Sequence, residues 1–303
     1  MQRVGDGPDE GDQADRRERR PHRGPLPVAG EQDQEGDDHE PAADTEQGAE
    51  ETGEEADGDE PHGRILRGVD DVLARLREEP GLAAVLLDVD GTLAPIVARP
   101  ELAAVPEETR AEVRRLVRRY ALVACVSGRT GEDAARLVGV GGVVYVGVHG
   151  LELAPEAESW RESLRPFAAE RWPWLEDKGL TVAFHWREAE DEEEARGSLE
   201  AVAERARAAG LEARWGRKVL ELRPPLEADK GTAVRSLLSE RGLQRALYAG
   251  DDTTDLDAFR GLDGLEVAVR VAVASAEGPP ALREAADLVV ASPEELRELL
   301  RDL

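Results

Sequence analysis

The chain has 303 residues and a formal charge of -27 at pH 7, enough length for one large or two modest domains with a substantial core. The charge is uneven: residues 1–63 hold 21 Asp and Glu against 6 Arg, with no aromatic side chain. That acidity argues against nucleic acid and anionic membrane as partners. No apolar run approaches the roughly 18 residues of a spanning helix, and the N-terminus lacks the apolar core of a signal peptide. A cytoplasmic location is therefore expected. Nothing in the sequence bears on oligomeric state, and a monomer is the default.

In chain order, residues 1–62 bury too little apolar surface to offset chain entropy and read as a disordered acidic tail. Residues 64–79 place Ile65, Leu66, Val69, Val72, Leu73 and Leu76 at helical spacing before Pro80. The stretch 81–96, GLAAVLLDVDGTLAPI, then organises the rest. Its apolar run 82–87 reads as a strand buried on both faces, and it ends abruptly in Asp88, Asp90, Gly91 and Thr92. In open α/β sheets ligands sit beyond the carboxyl ends of the strands, so these acids fall where a reacting group is wanted. A calcium loop fails on spacing, because its Gly and final Glu would fall at Leu93 and Arg99.

Pro106 opens a helix with Val113, Leu116, Val117 and Tyr120 on one face. Apolar runs at 121–126 and 143–146 end in Ser127-Gly128-Arg129 and near His149-Gly150. The single cysteine, Cys125, reads as a small buried hydrophobe. From about 154 to 224 the texture changes. All five tryptophans lie between residues 160 and 215, and strand candidates 180–187, 211–215 and 218–223 alternate around a helix at 192–209. Alternation indicates a sheet with one face left for solvent or ligand. The core pattern resumes with a helix opened by Lys230 and Gly231 and closed by Gly242, a strand at 246–249 running into GDDTTD (250–255), and apolar runs at 265–273 and 288–290. The expected fold is α/β: a doubly wound, mainly parallel, Rossmann-like sheet of about six strands (63–153 and 225–303) with an inserted α+β cap (154–224).

The polar strand ends form a complementary set. Asp88 and Asp251 can hold a hard divalent cation through oxygen, which suits Mg²⁺. Lys230, Ser127, Thr92 and backbone amides after Asp88 can orient phosphoryl oxygens. That leaves Asp88 as nucleophile and Asp90 as proton donor for phosphoryl transfer. Only three of 39 basic residues are lysine, namely Lys178, Lys218 and Lys230, and each falls in a polar motif.

DVDGTL, SGR, a later lysine and GDDTTD in this order resemble the four motifs of the haloacid dehalogenase superfamily. LDVDGTLAPI, HGLEL, EDKGLTVAFHWR, GRKVLELRP, DKG and GDDTTDLDAF together resemble the trehalose-6-phosphate phosphatases and span nearly all of 87–259. The resemblance implies Mg²⁺-dependent hydrolysis of trehalose 6-phosphate, the last step of trehalose biosynthesis, with a sugar phosphate as substrate and a phosphorylated Asp88 as intermediate. It implies that Asp90 acts as acid and then base, and that Thr92, Ser127, Gly128 and Lys230 hold phosphate. Metal would be held by Asp88, Asp251 and the Asp90 carbonyl, with Asp252 and Asp255 ordering its waters or Lys230. In the cap, Glu176, Lys178, Arg187, Arg217, Lys218 and Glu221 are the candidates for sugar hydroxyls, and His149 borders them; its imidazole reads equally as structural. Arg129 reads most simply as a solvated or structural ion-pair residue. Val148 departs from the pattern, which has Asn before His-Gly. Two other readings stand beside this one: a phosphatase of another sugar phosphate, of the sucrose or glycosylglycerol type, and a non-hydrolysing phospho-Asp switch, which would lack both Asp90 and the cap.

Overall fold

The structure is a computed structural model that describes residues 69–97, 102–216, 218–274 and 278–303. The tail expected at 1–62 and the candidate Arg217 lie outside the described residues. The helices are α1 (Val69–Glu78), α2 (Glu107–Val117), α3 (Gly131–Val138), α4 (Arg161–Ala168), α5 (Glu192–Ala208), α6 (Lys230–Ser239), α7 (Asp255–Gly261), α8 (Pro280–Ala285) and α9 (Pro293–Asp302).

Six parallel strands form one sheet: β1 (Ala83–Leu87), β2 (Leu122–Val126), β3 (Val144–Val146), β8 (Arg245–Gly250), β9 (Val267–Val273) and β10 (Leu288–Val290), in the order β10-β9-β8-β1-β2-β3. β1 and β8 are adjacent at the centre, so their two carboxyl ends share one crevice. Alternate residues of each strand feed opposite cores. Val85, Leu87, Val123 and Val269 pack with Leu76 of α1, Leu116 of α2, Val138 of α3 and Leu296 of α9. Ala84, Leu86, Ala124 and Tyr248 pack instead with Val234 and Leu237 of α6, Phe259 of α7 and Leu282 of α8. Burial on both faces is why β1 and β2 are apolar without interruption, whereas Arg270 breaks the run in β9. Each fully buried Leu or Val in them contributes roughly 1.5–3 kcal/mol.

The second sheet is antiparallel, in the order β4-β5-β7-β6, from β4 (Leu175–Asp177), β5 (Val182–His185), β6 (Glu212–Gly216) and β7 (Val219–Arg223). One face, with Val182, Phe184, Leu220 and Leu222, is covered by Leu164 and Phe167 of α4 and by Leu199, Val202 and Ala206 of α5. Asp191 caps α5 through the backbone N–H groups of Glu193 and Glu194. The strand expected at 180–187 is shorter, Val182–His185: Trp186 still packs in this core, but the backbone turns at Arg187, which is exposed. β4 has no counterpart in the sequence reading, and the helix expected at 64–79 is described only from Val69. Among the described residues no helix is long and apolar enough to cross a membrane.

Candidate active site

The turn after β1 is built by its own backbone. Leu93 and Ala94 donate to the Val89 carbonyl at 2.9 Å, and Gly91 donates to the Ala94 carbonyl at 2.8 Å. Gly91 takes φ 78°, and a Cβ there would lie 2.0 Å from Asp251 Oδ2. Only glycine satisfies both constraints. The turn points Asp88 into the crevice, 4% exposed, beside Asp251 from the end of β8.

Lys230 is the first residue of α6, whose start is fixed by a capping box between Asp229 and Thr232. Its Nζ donates to Asp88 Oδ1 at 2.6 Å and to Asp255 Oδ1 at 2.7 Å, with all three side chains almost fully buried. Asp255 in turn accepts from Tyr248 Oη at 2.7 Å and, through Oδ2, from the backbone N–H groups of Asp251 and Asp252 at 2.9 Å. Both Asp255 oxygens are therefore occupied in orienting its neighbours. Tyr248 was missed in the sequence, although a phenol inside an apolar strand has to find a partner for its hydroxyl.

Carboxylate oxygens of Asp88, Asp251 and Asp255 lie within 4.8 Å of one another. Burial pushes the Asp88 carboxyl above its ordinary range, the Lys230 ammonium opposes this, and Asp255 adds to it. Asp251 is pushed the same way by burial and then by Asp88 and Asp255. Burial disfavours the Lys230 charge, but Asp88 and Asp255 outweigh it and hold the ammonium protonated. Three acids against one ammonium leave an excess of negative charge that a small divalent cation would neutralise, and an all-oxygen donor set suits a hard ion. Of these acids, Asp88 and Asp251 are the residues free to serve. Asp252 is not brought into this cluster: it is exposed, and its Oδ1 accepts from Thr253 N at 2.6 Å.

Thr92 and Ser127 are buried at the rim. Thr92 Oγ1 is 3.5 Å from Asp88 Oδ2 and 3.4 Å from Asp251 Oδ1. Ser127 Oγ accepts from Arg129 N at 3.1 Å. Gly128 is overlaid by the His149 ring, which would stand 2.7 Å from a Cβ at that position. Burial, reinforced by Lys230, Lys178 and Arg223, holds the His149 imidazole at about 3, so it is neutral. Its Nδ1 is buried without a hydrogen-bond partner among the described residues. Val148 and His149 both take positive φ, 50° and 53°. Asn tolerates that left-handed backbone and a β-branched Val resists it, which gives the departure at Val148 a physical content. The Val148 side chain is buried with Leu151, Ala157, Leu180 and Ala228.

Asp90 and Arg129 form a bidentate pair: Nε donates to Oδ2 and Nη2 to Oδ1, each at 2.7 Å. No motif or spacing joins them. Glu152, also missed, accepts from Gly131 N at 2.9 Å and Gly147 N at 2.7 Å and so ties the loops after β2 and β3 together.

Across the cap sheet, Glu176 faces Ala183, Ala183 faces Glu221 and Glu221 faces Arg214, so these four share the face opposite the α4 and α5 core. Lys178 and His185 lie on that face by the same alternation, and both approach Glu176, at 3.6 and 3.1 Å. Burial raises Glu176, but the His185 hydrogen bond and Lys178 outweigh it and keep the carboxyl below its ordinary range. Arg214 and the buried Arg223 on this face were not singled out in the sequence; strand parity was the signal that could have found them. Arg187 lies beyond β5, exposed, and Lys218 pairs with Glu192 Oε1 at 2.5 Å at the start of α5. A cavity of ≈ 560 Å³ opens at the other end of the parallel sheet, near Leu82, Arg241 and Arg245. Arg245 there is paired with Glu79 and Glu266, and the acid cluster is not part of it.

A profile described as trehalose-phosphatase matches residues 86–175 and 173–293. The chain belongs to the trehalose-phosphatase family. It is similar to the trehalose-phosphate phosphatase of Mycobacterium marinum, 36% identical over 176 residues, covering 49% of this chain and 44% of that protein. The corresponding protein of Mycobacterium avium is 36% identical over 168 residues, 47% and 42% of the two chains. The matched region spans less than half the length of these relatives. Among solved structures, a trehalose-6-phosphate phosphatase related protein is similar at 26% identity and a TM-score of 0.52, over 72% of this chain and 95% of that one. The C-terminal domain of the C. albicans trehalose-6-phosphate phosphatase, at 22% identity, TM-score 0.57 and coverage of 79% and 97%, shares the fold. So does a haloacid dehalogenase-like hydrolase from Bacteroides thetaiotaomicron, at 15% identity, TM-score 0.50 and coverage of 72% and 98%.

Proposed function

We propose that the chain is a Mg²⁺-dependent phosphatase that hydrolyses trehalose 6-phosphate to trehalose and phosphate, the closing reaction of trehalose synthesis. The observation that carries this reading is the buried contact of Lys230 with Asp88 and Asp255, beside Asp251, at the joined ends of β1 and β8. An Asp88 oxygen bonds to phosphorus as the bond from phosphorus to the sugar oxygen breaks. Asp90 gives that oxygen a proton, because a sugar alkoxide leaves poorly. Asp90 then takes a proton from the water that attacks the aspartyl-phosphate, releasing phosphate and restoring Asp88. Lys230, Ser127, Thr92 and the Gly128 backbone hold the phosphoryl oxygens. Asp255 and Tyr248 keep Lys230 in place. Mg²⁺, held by Asp88, Asp251 and the Asp90 carbonyl, supplies charge neutralisation when bound.

Glu176, Lys178 and Glu221 on the polar cap face, with the neutral His149, would receive sugar hydroxyls. Once a bound sugar covers them, polar groups of that kind reject sugars that leave them unpaired. Phosphate release from trehalose 6-phosphate, sucrose 6-phosphate, glucosylglycerol phosphate and glucose 6-phosphate, with Mg²⁺ and with chelator, tests the proposal. Trehalose 6-phosphate is expected to turn over fastest, and only with Mg²⁺. Faster turnover of another sugar phosphate would remove the substrate assignment, and full activity in chelator would remove the metal.

A further inference from the structure

We infer that Arg129 is the positioning residue for Asp90: from the loop after β2 it fixes where that carboxylate stands relative to the leaving sugar oxygen. The inference rests on the role of Asp90 proposed above. The Asp90 side chain is 44% exposed, and the backbone bonds of its turn leave its rotamer open. Two 2.7 Å bonds in the plane of one guanidinium close that freedom for the carboxylate; when Asp90 carries the proton for the sugar oxygen, the oxygen that bears it gives up its N–H and the other bond keeps the direction.

Arg129 can do this because its own backbone is held on every side. Its N–H donates to Ser127 Oγ, its carbonyl accepts from Val148 N at 2.8 Å, and Thr130 caps α3 by accepting from Asp133 N. Glu152 then pins Gly131 to Gly147. The pair joins residues 39 apart, across the loops that follow β1 and β2. The Asp90 side is nearly half exposed, so solvent screens the attraction itself, and what the fork adds is direction. On the cap side, the Glu176 carboxylate adds to the negative field around the same guanidinium.

The test exploits leaving-group chemistry. In kcat/KM, which reports steps through departure of the leaving group, a sugar phosphate needs a placed acid, whereas a p-nitrophenyl phosphate barely does. Arg129→Ala and Arg129→Lys should lose ~10- to 100-fold in kcat/KM on trehalose 6-phosphate but less than about 3-fold on p-nitrophenyl phosphate, with inhibition by inorganic phosphate nearly unchanged. Millimolar guanidinium should restore part of the loss in Arg129→Ala. Retained turnover of the aryl ester reports that each variant is folded, and Arg129→Lys keeps the test readable if the alanine variant is not. Equal losses on both substrates in a folded variant, or weakened inhibition by phosphate, would overturn the inference and make Arg129 a phosphate ligand. Asp90→Asn is the control: if it shows the same substrate bias while the Arg129 variants do not, only the inference fails. If Asp90→Asn shows no bias, the reading of Asp90 fails and takes the inference with it.

Discussion

The parallel sheet buries both faces and places its chemistry at the ends of its strands, whereas the antiparallel sheet buries one face and presents the other. In the first, polar residues are confined to where the strands stop, so Asp88, Ser127 and Asp251 stand in one crevice with Lys230 delivered from a helix start. In the second, polar residues recur at every other position and form a two-dimensional array, Glu176, Lys178, His185, Glu221 and Arg214. The difference teaches a division of labour. A point where strands end fixes a few groups tightly enough for bond making, while a sheet face spreads donors and acceptors over an area the size of a sugar.

If that division is right, substitutions in the two regions should separate chemistry from recognition. The largest effect is expected at Lys230. Lys230→Ala leaves Asp88 and Asp255 buried without a counter-charge, which should lower stability by about 3–5 kcal/mol and abolish turnover, read by chemical denaturation and phosphate release. A Lys230→Ala protein with wild-type stability would mean that the acids are solvated and the crevice is not as dry as described. A smaller and different effect is expected in the cap. Glu221→Ala should raise KM for trehalose 6-phosphate by ~10- to 100-fold, the loss of one or two sugar hydrogen bonds, and leave p-nitrophenyl phosphate turnover intact. A fall in kcat on both substrates would place Glu221 with the chemistry instead.

The smallest effect concerns His149, at the border of the two regions. Its imidazole is lowered from 6.5 to about 3 in the folded chain. Below pH 6.5 the unfolded chain takes up a proton that the folded chain refuses, so this contribution is complete above that pH and is lost as the pH falls towards 3. Relative to His149→Gln, the wild type should lose about 2 kcal/mol more stability between pH 7 and pH 5. Parallel stability curves for the two proteins would mean that the folded chain lets the His149 imidazole take up its proton as readily as the unfolded chain does.

The two regions also differ in how far they could be read from residues alone. Burial on both faces forces an apolar run, so β1, β2 and β8 stood out, and the acids that follow β1 and β8 stood out with them. β4 is three residues, Leu-Glu-Asp, too short to show an alternation, and it exists only because β5 offers it an edge. α9 carried a signal that went unread: Ser292 caps it, Pro293 starts it, and Leu296 and Leu300 are buried one turn apart. Pairings across the chain are the part that periodicity cannot carry. That Arg129 would hold Asp90 follows from which strand ends meet in space, whereas Asp255 beside Lys230 was within reach of the motif resemblance. The same holds for cap positions: Arg187 and Lys218 fit the sequence motif, but one is exposed beyond β5 and the other pairs with Glu192.

The claim on which the rest depends is that Asp88 itself bonds to phosphorus. Acid quenching during turnover of trehalose 6-phosphate with Mg²⁺, followed by peptide mass spectrometry, should find a phosphoryl adduct on Asp88, absent in Asp88→Asn, which should also be inactive. An adduct elsewhere, or substantial turnover by Asp88→Asn, would contradict it.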